Sequence, residues 1–309
     1  MSNVIFPSYY PLFKCIADKC KHSCCIGWEI DVDEKTMSFY NSLDTEFGET
    51  IRKNIEGEVP HFILRENERC PFLNEKGLCD IIINCGEDAL CDICTLHPRF
   101  NNFYDSFTET GLGLCCEEAA RIILSYCDKV TFSGMENINF TDEEKMFLSE
   151  RKKVLDILQD RNKSILKRFE LLASQYGLTF QYDNKKLCNL YKSLERLDEN
   201  WTKILETTAL HSSDGKIFEK EEYGLFFEQL AVYFVFRHMK EGMWDEDYTP
   251  MINFVLMSCY FVGMVIDSFG WENYNFEHCC DIVRMYSGEV EYSEDNTEKL
   301  MYSIYENQC

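Results

Sequence analysis

The sequence predicts a mainly α protein, with a cysteine-rich N-terminal region of loops and short strands packed on a helical C-terminal bundle. Three observations lead there. From about residue 141 onward, apolar residues recur at helical spacing in segment after segment. Twelve of the 17 cysteines fall between residues 15 and 127, in a stretch of turns and short apolar runs. No strand–helix alternation runs along the chain, which argues against a doubly wound sheet. The expected division is a cysteine-rich region 1–130 followed by a helical domain 131–309.

The elements follow in order. "IGWEIDVD" alternates apolar and polar residues, as a short strand does. Asp33 then stands as N-cap for a helix in "DEKTMSFYNSLDTEFGETIRKNI". "HFILREN" and "CPFLNEKGLCDIII" read as short strands, with Gly77 in the turn between Cys70 and Cys79. A helix begins near Glu117. Thr141 and Glu144 have capping-box spacing and open a helical stretch that stops at Gly177. "NKKLCNLYKSLERLDENWTKILE" places Leu187, Leu190, Tyr191, Leu194, Leu197, Trp201 and Ile204 on one face. Two more apolar helices follow over 221–242 and 249–270, the second with Thr249 as N-cap and Pro250 in its first position. Helices near 276–287 and 294–306 complete the chain.

Composition narrows the function. The chain of 309 residues is 45% hydrophobic and 14% aromatic, enough to bury a core. Its net charge of −23 suits neither nucleic-acid phosphates nor anionic membrane surfaces, and favours a basic partner such as a lysine-bearing surface. The longest apolar run, "MINFVLMSCYFVGMVI", is short for a membrane span and carries Asn253 and Ser258, so a buried core helix is expected. The first residues lack the basic-then-apolar pattern of a signal peptide. The expectation is a soluble, cytoplasmic protein in a reducing compartment, where 17 cysteines are no disulfide framework.

Eight cysteines form a readable set. Cys15 and Cys20 precede the Cys24–Cys25 pair in "CKHSCCIGWEID"; Cys70 and Cys79 flank "PFLNEKGL"; Cys94 precedes "TLHPRF"; Cys116 opens a helix. Thiolates in turns suit zinc or iron–sulfur clusters, because they are soft, charged ligands and such centres take four of them. Only "CDIC", Cys91 to Cys94, has C-x2-C form, so this is no ordinary zinc ribbon. Eight thiolates suffice for one site with spare cysteines or for two sites of four, and spacing does not choose.

At these residues the chain resembles the flagellin lysine N-methylases. "PSYYPLFKCIADKCKHSCCIGWEIDVDEKT", "CPFLNEKGLC", "CTLHPRF" and "CCEEAAR" are similar to that family's cysteine motifs, and "FEQLAVYFVFRHMKEG" and "DIVRMYSGEVEYSEDN" to its C-terminal half. The resemblance implies a mostly helical enzyme that holds a [4Fe-4S] cluster and moves methyl from S-adenosylmethionine to surface lysines of flagellin or another protein. It implies ligation by cysteines among Cys15, Cys20, Cys24, Cys25, Cys70, Cys79, Cys94 and Cys116, with zinc as the alternative metal. The chain departs from the family pattern at Cys115–Cys116–Glu117, where Ser–Cys–Pro is usual, and at His97, where Tyr is common. Cys85, Cys91 and Cys115 are additional. No partner of nucleic acid or membrane type is expected.

Methyl transfer to lysine needs a neutral amine held in line with the methyl carbon. Tyr286, Glu289 and Glu291 in "YSGEVEY" are the candidates for taking its proton. Arg237 and Arg284 are the candidates for binding a cofactor carboxylate. The competing reading is a non-catalytic metal-binding or redox protein on the same cysteine scaffold.

Overall fold

The computed structural model describes residues 3–211, 213–270 and 275–306. The protein is mainly α, as the patterning predicts. By contact it divides into two units. One, the inserted unit, is Lys14–Phe100 with Cys116–Glu118; the other, the helical unit, is Met1–Phe13, Asn101–Cys115 and Ala119–Cys309. The division therefore does not fall at residue 130. Strand β1 (Val4–Pro7) lies ahead of the inserted unit, yet it pairs with a strand that follows it, which builds both flanks into the helical unit.

In the inserted unit, Asp33 caps α1 (Glu34–Ser42) through Thr36 N, as expected. The predicted single helix breaks at Leu43 and restarts as α2 (Glu46–Lys53), because Thr45 offers its hydroxyl to Gly48 N and begins a new N-terminus. Arg52 then donates to the carbonyls of Tyr40 and Leu43, satisfying the end of α1. "IGWEIDVD" forms no strand. It contributes only isolated bridges, Ile26 to Arg69 and Asp31 to His61. β2 (Ile55–Glu56) and β3 (His61–Phe62) pair antiparallel. Gly77 does hold the turn between Cys70 and Cys79, at φ 74°. Past it, however, "CDIII" winds into α3 (Asp80–Cys85), and α4 (Asp92–Leu96) follows.

The helical unit carries a four-stranded sheet in the order β4 (Arg99–Phe103), β5 (Thr108–Leu112), β1, β6 (Phe132–Ser133). Helix α5 (Glu117–Leu124) starts where predicted. The predicted 141–177 helix is two. α6 (Asp142–Leu158) has the full Thr141–Glu144 capping box; α7 (Ile165–Gln175) has its own N-cap, Ser164. Likewise Asp198 caps a separate helix, so the 184–206 stretch divides into α8 (Asn184–Lys192) and α9 (Glu199–Leu210). Leu197 falls in that break and is 51% exposed, whereas the other six residues assigned to the face are buried. α10 (Gly224–His238) and α11 (Thr249–Ser268) form the centre, apolar on all sides and packed on each other. The α11 cap lies one residue earlier than expected, at Tyr248, with Thr249 and Pro250 in the first turn. α11 is the one described helix long and apolar enough to cross a membrane, and its apolar length is buried among its neighbours. α12 (Phe276–Val290) and α13 (Glu294–Tyr302) close the unit.

Two buried carboxylates and their arginines tie the unit together. Arg151 makes a bidentate pair with Glu109, which also accepts from the Tyr104 hydroxyl at 3.0 Å. Glu228 on α10 receives Arg161 at 2.7 Å and Arg168 at 2.5 Å, anchoring α10 to α7 and the turn before it.

Candidate functional site

All eight cysteines singled out from the sequence lie in the inserted unit, together with Cys85 and Cys91. Short helices and turns bring them near one another. The backbone bridge beside Ile26–Arg69 continues as Cys70 N to Cys25 O at 2.9 Å. Leu73 bridges to Cys79, so the Gly77 turn sets Cys70 and Cys79 at its two ends. Cys91 and Cys94 sit one turn apart at the start of α4, where Asp33 accepts from Asp92 N at 2.9 Å. Glu117 accepts from Lys21 N at 2.8 Å and His22 N at 3.2 Å, and the Cys20 thiol lies 3.7 Å from it. That contact draws the 20–25 segment to Cys116.

Burial shapes the chemistry of these sulfurs. It pushes the Cys70 thiol up to about 12 and the Cys20 thiol up to about 11. The adjacent pair shares a hydrogen bond, which lowers Cys25 to about 7 and raises Cys24. Cys91 and Cys94 behave likewise: the bond between them lowers Cys91 and raises Cys94. Buried thiols gathered this closely suit a soft metal, which stabilises the thiolate charge that burial penalises. Among the described residues no three His, Cys, Asp or Glu side chains already converge closely enough to hold an ion. The donor chemistry thus fits a metal, while the sulfurs stand apart from a closed coordination shell.

The C-terminal candidates separate into two groups. Glu291 and Arg237 come together inside the helical unit, both deeply buried. Glu291 accepts from His238 Nε2 at 2.6 Å and Tyr233 OH at 3.1 Å, with Arg237 Nε 3.3 Å away. Arg237 also donates to Tyr233 OH at 2.7 Å and to the Glu291 carbonyl at 3.3 Å. Burial works against the Glu291 charge, yet Arg237 and His238 hold its carboxyl below the usual range. Burial pushes His238 down, so its imidazole is neutral near pH 7 despite the carboxylate beside it. The network reaches the surface through Tyr292, whose ring lies under the Arg237 guanidinium at 5.5 Å and whose hydroxyl meets the Cys115 sulfur at 2.8 Å.

The other three candidates have structural partners. Tyr286, wholly buried, donates to Ser258 Oγ at 2.7 Å and meets Tyr191 OH at 3.0 Å. Glu289 accepts from Leu197 N at 3.2 Å and from Asp198 N, tying α12 to the start of α9. Arg284 pairs with Asp281 one turn away on α12. Arg237, expected to hold a cofactor carboxylate, has all three guanidinium nitrogens turned toward protein acceptors. Sequence reasoning passed over His238 and Tyr233. A signal was present: the Arg–His dipeptide ends a helix that is otherwise almost wholly apolar.

A family model described as the FliB lysine N-methylase C-terminal domain matches residues 114–309. The chain is similar to the lysine-N-methylase of Salmonella typhimurium, 27% identical over 165 residues covering 49% of this chain and 40% of that protein. It is also similar to the flagellar biosynthetic protein FliU of Salmonella muenchen, 26% identical over 188 residues covering 56% of this chain and 95% of that one. The chain thus spans about 40% of the length of the curated lysine-N-methylases it matches. No solved structure matches it.

Proposed function

The chain belongs to the FliB lysine N-methylase family, and from that premise we propose that it methylates lysine side chains of a protein partner. The observation that carries the assignment of a site is the buried Glu291–His238–Arg237–Tyr233 network, which lies inside the matched residues 114–309. The methyl donor is S-adenosylmethionine, whose sulfonium makes its methyl carbon electrophilic. The lysine amine forms the new N–C bond as the S–C bond breaks, with that electron pair going to sulfur. Before that step the lysine ammonium must give up a proton to free its lone pair, and the neutral His238 imidazole, oriented by Glu291, is the group suited to take it. Arg237 and Tyr233 fix the carboxylate in place. The cysteines of the inserted unit hold an iron–sulfur cluster, or alternatively zinc; such a centre would supply a rigid cross-link between its turns when bound. A net charge of −23 favours a basic, lysine-bearing partner, with flagellin the first to try.

Co-expression with flagellin tests this, with intact mass read for added methyl groups. Glu291→Gln and His238→Asn should each lower the methylation rate by about 10²–10⁴-fold; Glu291→Gln should also lower the melt, because Arg237 loses its buried carboxylate, so His238→Asn is the cleaner reading of the chemistry. Unmodified flagellin and no other methylated protein would sink the proposal. Full activity in both variants would remove this network as its site.

A further inference from the structure

We propose that an aromatic cleft on the helical unit binds the alkylammonium side chain of a lysine on the protein partner, and binds it best when methylated. That the ligand is a partner's lysine rests on the function proposed above. The cleft itself shares no residue with the Glu291–His238 network.

The cleft has a volume of about 470 Å³, within the range of ligand sites. It opens between the segment leading into α8 and the turn that follows α9. Four rings line it. Phe218 and Tyr260 are buried and make the floor; Phe180 and Tyr182 are half-buried and make the walls. The Phe180 ring stands nearly perpendicular to Phe218 at 5.1 Å and to Tyr260 at 5.6 Å, and Tyr182 meets Tyr260 at 5.0 Å and 52°. Rings at steep angles turn their negative faces toward one space from several sides, as a cation with an apolar body requires. The arrangement is fixed before any ligand arrives. Tyr260 OH donates to Asn184 Oδ1 at 3.0 Å, and Asn184 Nδ2 donates to the Ser213 carbonyl at 2.7 Å, which ties the two edges together. Phe218 occupies the gap left by Gly263 on α11, where a methyl group would come within 2.6 Å of its ring. Charge selects further. The rim carries Asp183, Asp214 and Glu219 against Lys185. Asp183 caps α8 and Asp214 pairs with Lys216; Glu219, exposed on the rim, is in neither arrangement and faces an arriving cation. This excess of carboxylates disfavours a ligand with a carboxylate of its own, and favours a side chain on a protein main chain. Methylation replaces N–H donors with methyl groups and keeps the charge, so the ammonium gives up less water on entering the rings.

The test titrates the full-length protein with Nε-trimethyl-lysine blocked at both ends, read by calorimetry. Saturable binding is expected. It should weaken about 5–30-fold for the neutral isostere in which carbon replaces the charged nitrogen. Tyr182→Leu and Glu219→Gln should each weaken binding of the charged probe about 3-fold or more. No saturable binding, equal binding of the isostere, or unchanged affinity in both variants overturns the proposal. Displacement of the probe by S-adenosylmethionine also overturns it, because the cleft is then the methyl donor's. The isostere comparison uses the parent alone, so it stands even where a variant fails to fold. A chain that binds the probe and methylates nothing keeps the cleft and loses the function proposed above. A chain that methylates flagellin and does not bind the probe keeps that function and loses the cleft.

Discussion

The inserted unit and the helical unit solve the same problem with different materials. The buried apolar cluster of the insert has eleven residues, two of them cysteines. That is a small core for a segment of this length, and small cores commonly depend on staples. The helical unit instead buries nearly every residue of α10 and α11 and adds the Arg151–Glu109 and Arg161/Arg168–Glu228 pairs. Cysteines appear in its core too, but scattered: Cys188, Cys259 and the Cys279–Cys280 pair are buried. The lesson is that cysteine count alone says little. The same side chain packs as a small hydrophobe where helices supply the core and gathers with its kind where they do not.

The strongest way to break this comparison is to remove metal. If thiolate ligation holds the insert, chelation withdraws a binding free energy of order 10 kcal/mol. Hydrogen exchange should then rise across residues 14–100 and stay low in α10 and α11; a uniform rise in both would dissolve the distinction. Next in size is Glu228→Ala, which leaves Arg168 buried without its carboxylate. It should cost about 3–5 kcal/mol, lower the melt of the helical unit, and leave the metal content of the insert unchanged.

A pH titration sharpens the contrast further. Burial, aided by Arg99, pushes His97 down to about 4. Between about 4 and 6.5 the unfolded chain binds a proton that the folded one refuses, so stability falls as pH drops through that window. The loss in the insert should be about 1–3 kcal/mol, measured by denaturant melts of His97→Tyr against the parent. The variant should show a flatter dependence, and an identical slope would mean that His97 is not the titrating group. The smallest effect is Tyr286→Phe. Its hydroxyl bonds Ser258 and Tyr191 inside the core, so its removal should cost about 1 kcal/mol and leave the methylation rate unchanged. A large rate loss at constant stability would return Tyr286 to the chemistry.

Much of this was legible in the residues. Helical periodicity and caps located α5 to α13 because amphipathic faces and Ser, Thr and Asp caps are local signals. The break at 193–198 is hidden because Leu194 and Leu197 continue the apolar spacing through it; the break at 159–164 is a wholly polar run, and there the missed signal was that run together with the new cap, Ser164. "IGWEIDVD" failed as a strand because alternation is necessary and not sufficient: a strand needs a neighbour along its length, and only two bridges form. The cysteines were legible as a set, but not the contacts that bring their segments together, such as Glu117 with Lys21 and the Cys25–Cys70 main-chain bond. Of the C-terminal candidates, residue type alone could not separate Glu291, which meets His238 and Arg237, from Glu289, which binds main-chain amides.

The pairing of β1 with β5 has a consequence for how the protein is made. Val4 is synthesised ahead of Lys14–Phe100, and its partner Thr108 only after that segment. Joining them across about 100 unstructured residues carries a closure cost that grows with the logarithm of that length. If Lys14–Phe100 folds first, the insert becomes a compact bead and the loop to be closed shrinks to its two short tails. Nascent chains in which residue 100 has cleared the ribosome should therefore already bury the apolar core of the insert around Tyr40, Phe62 and Phe72.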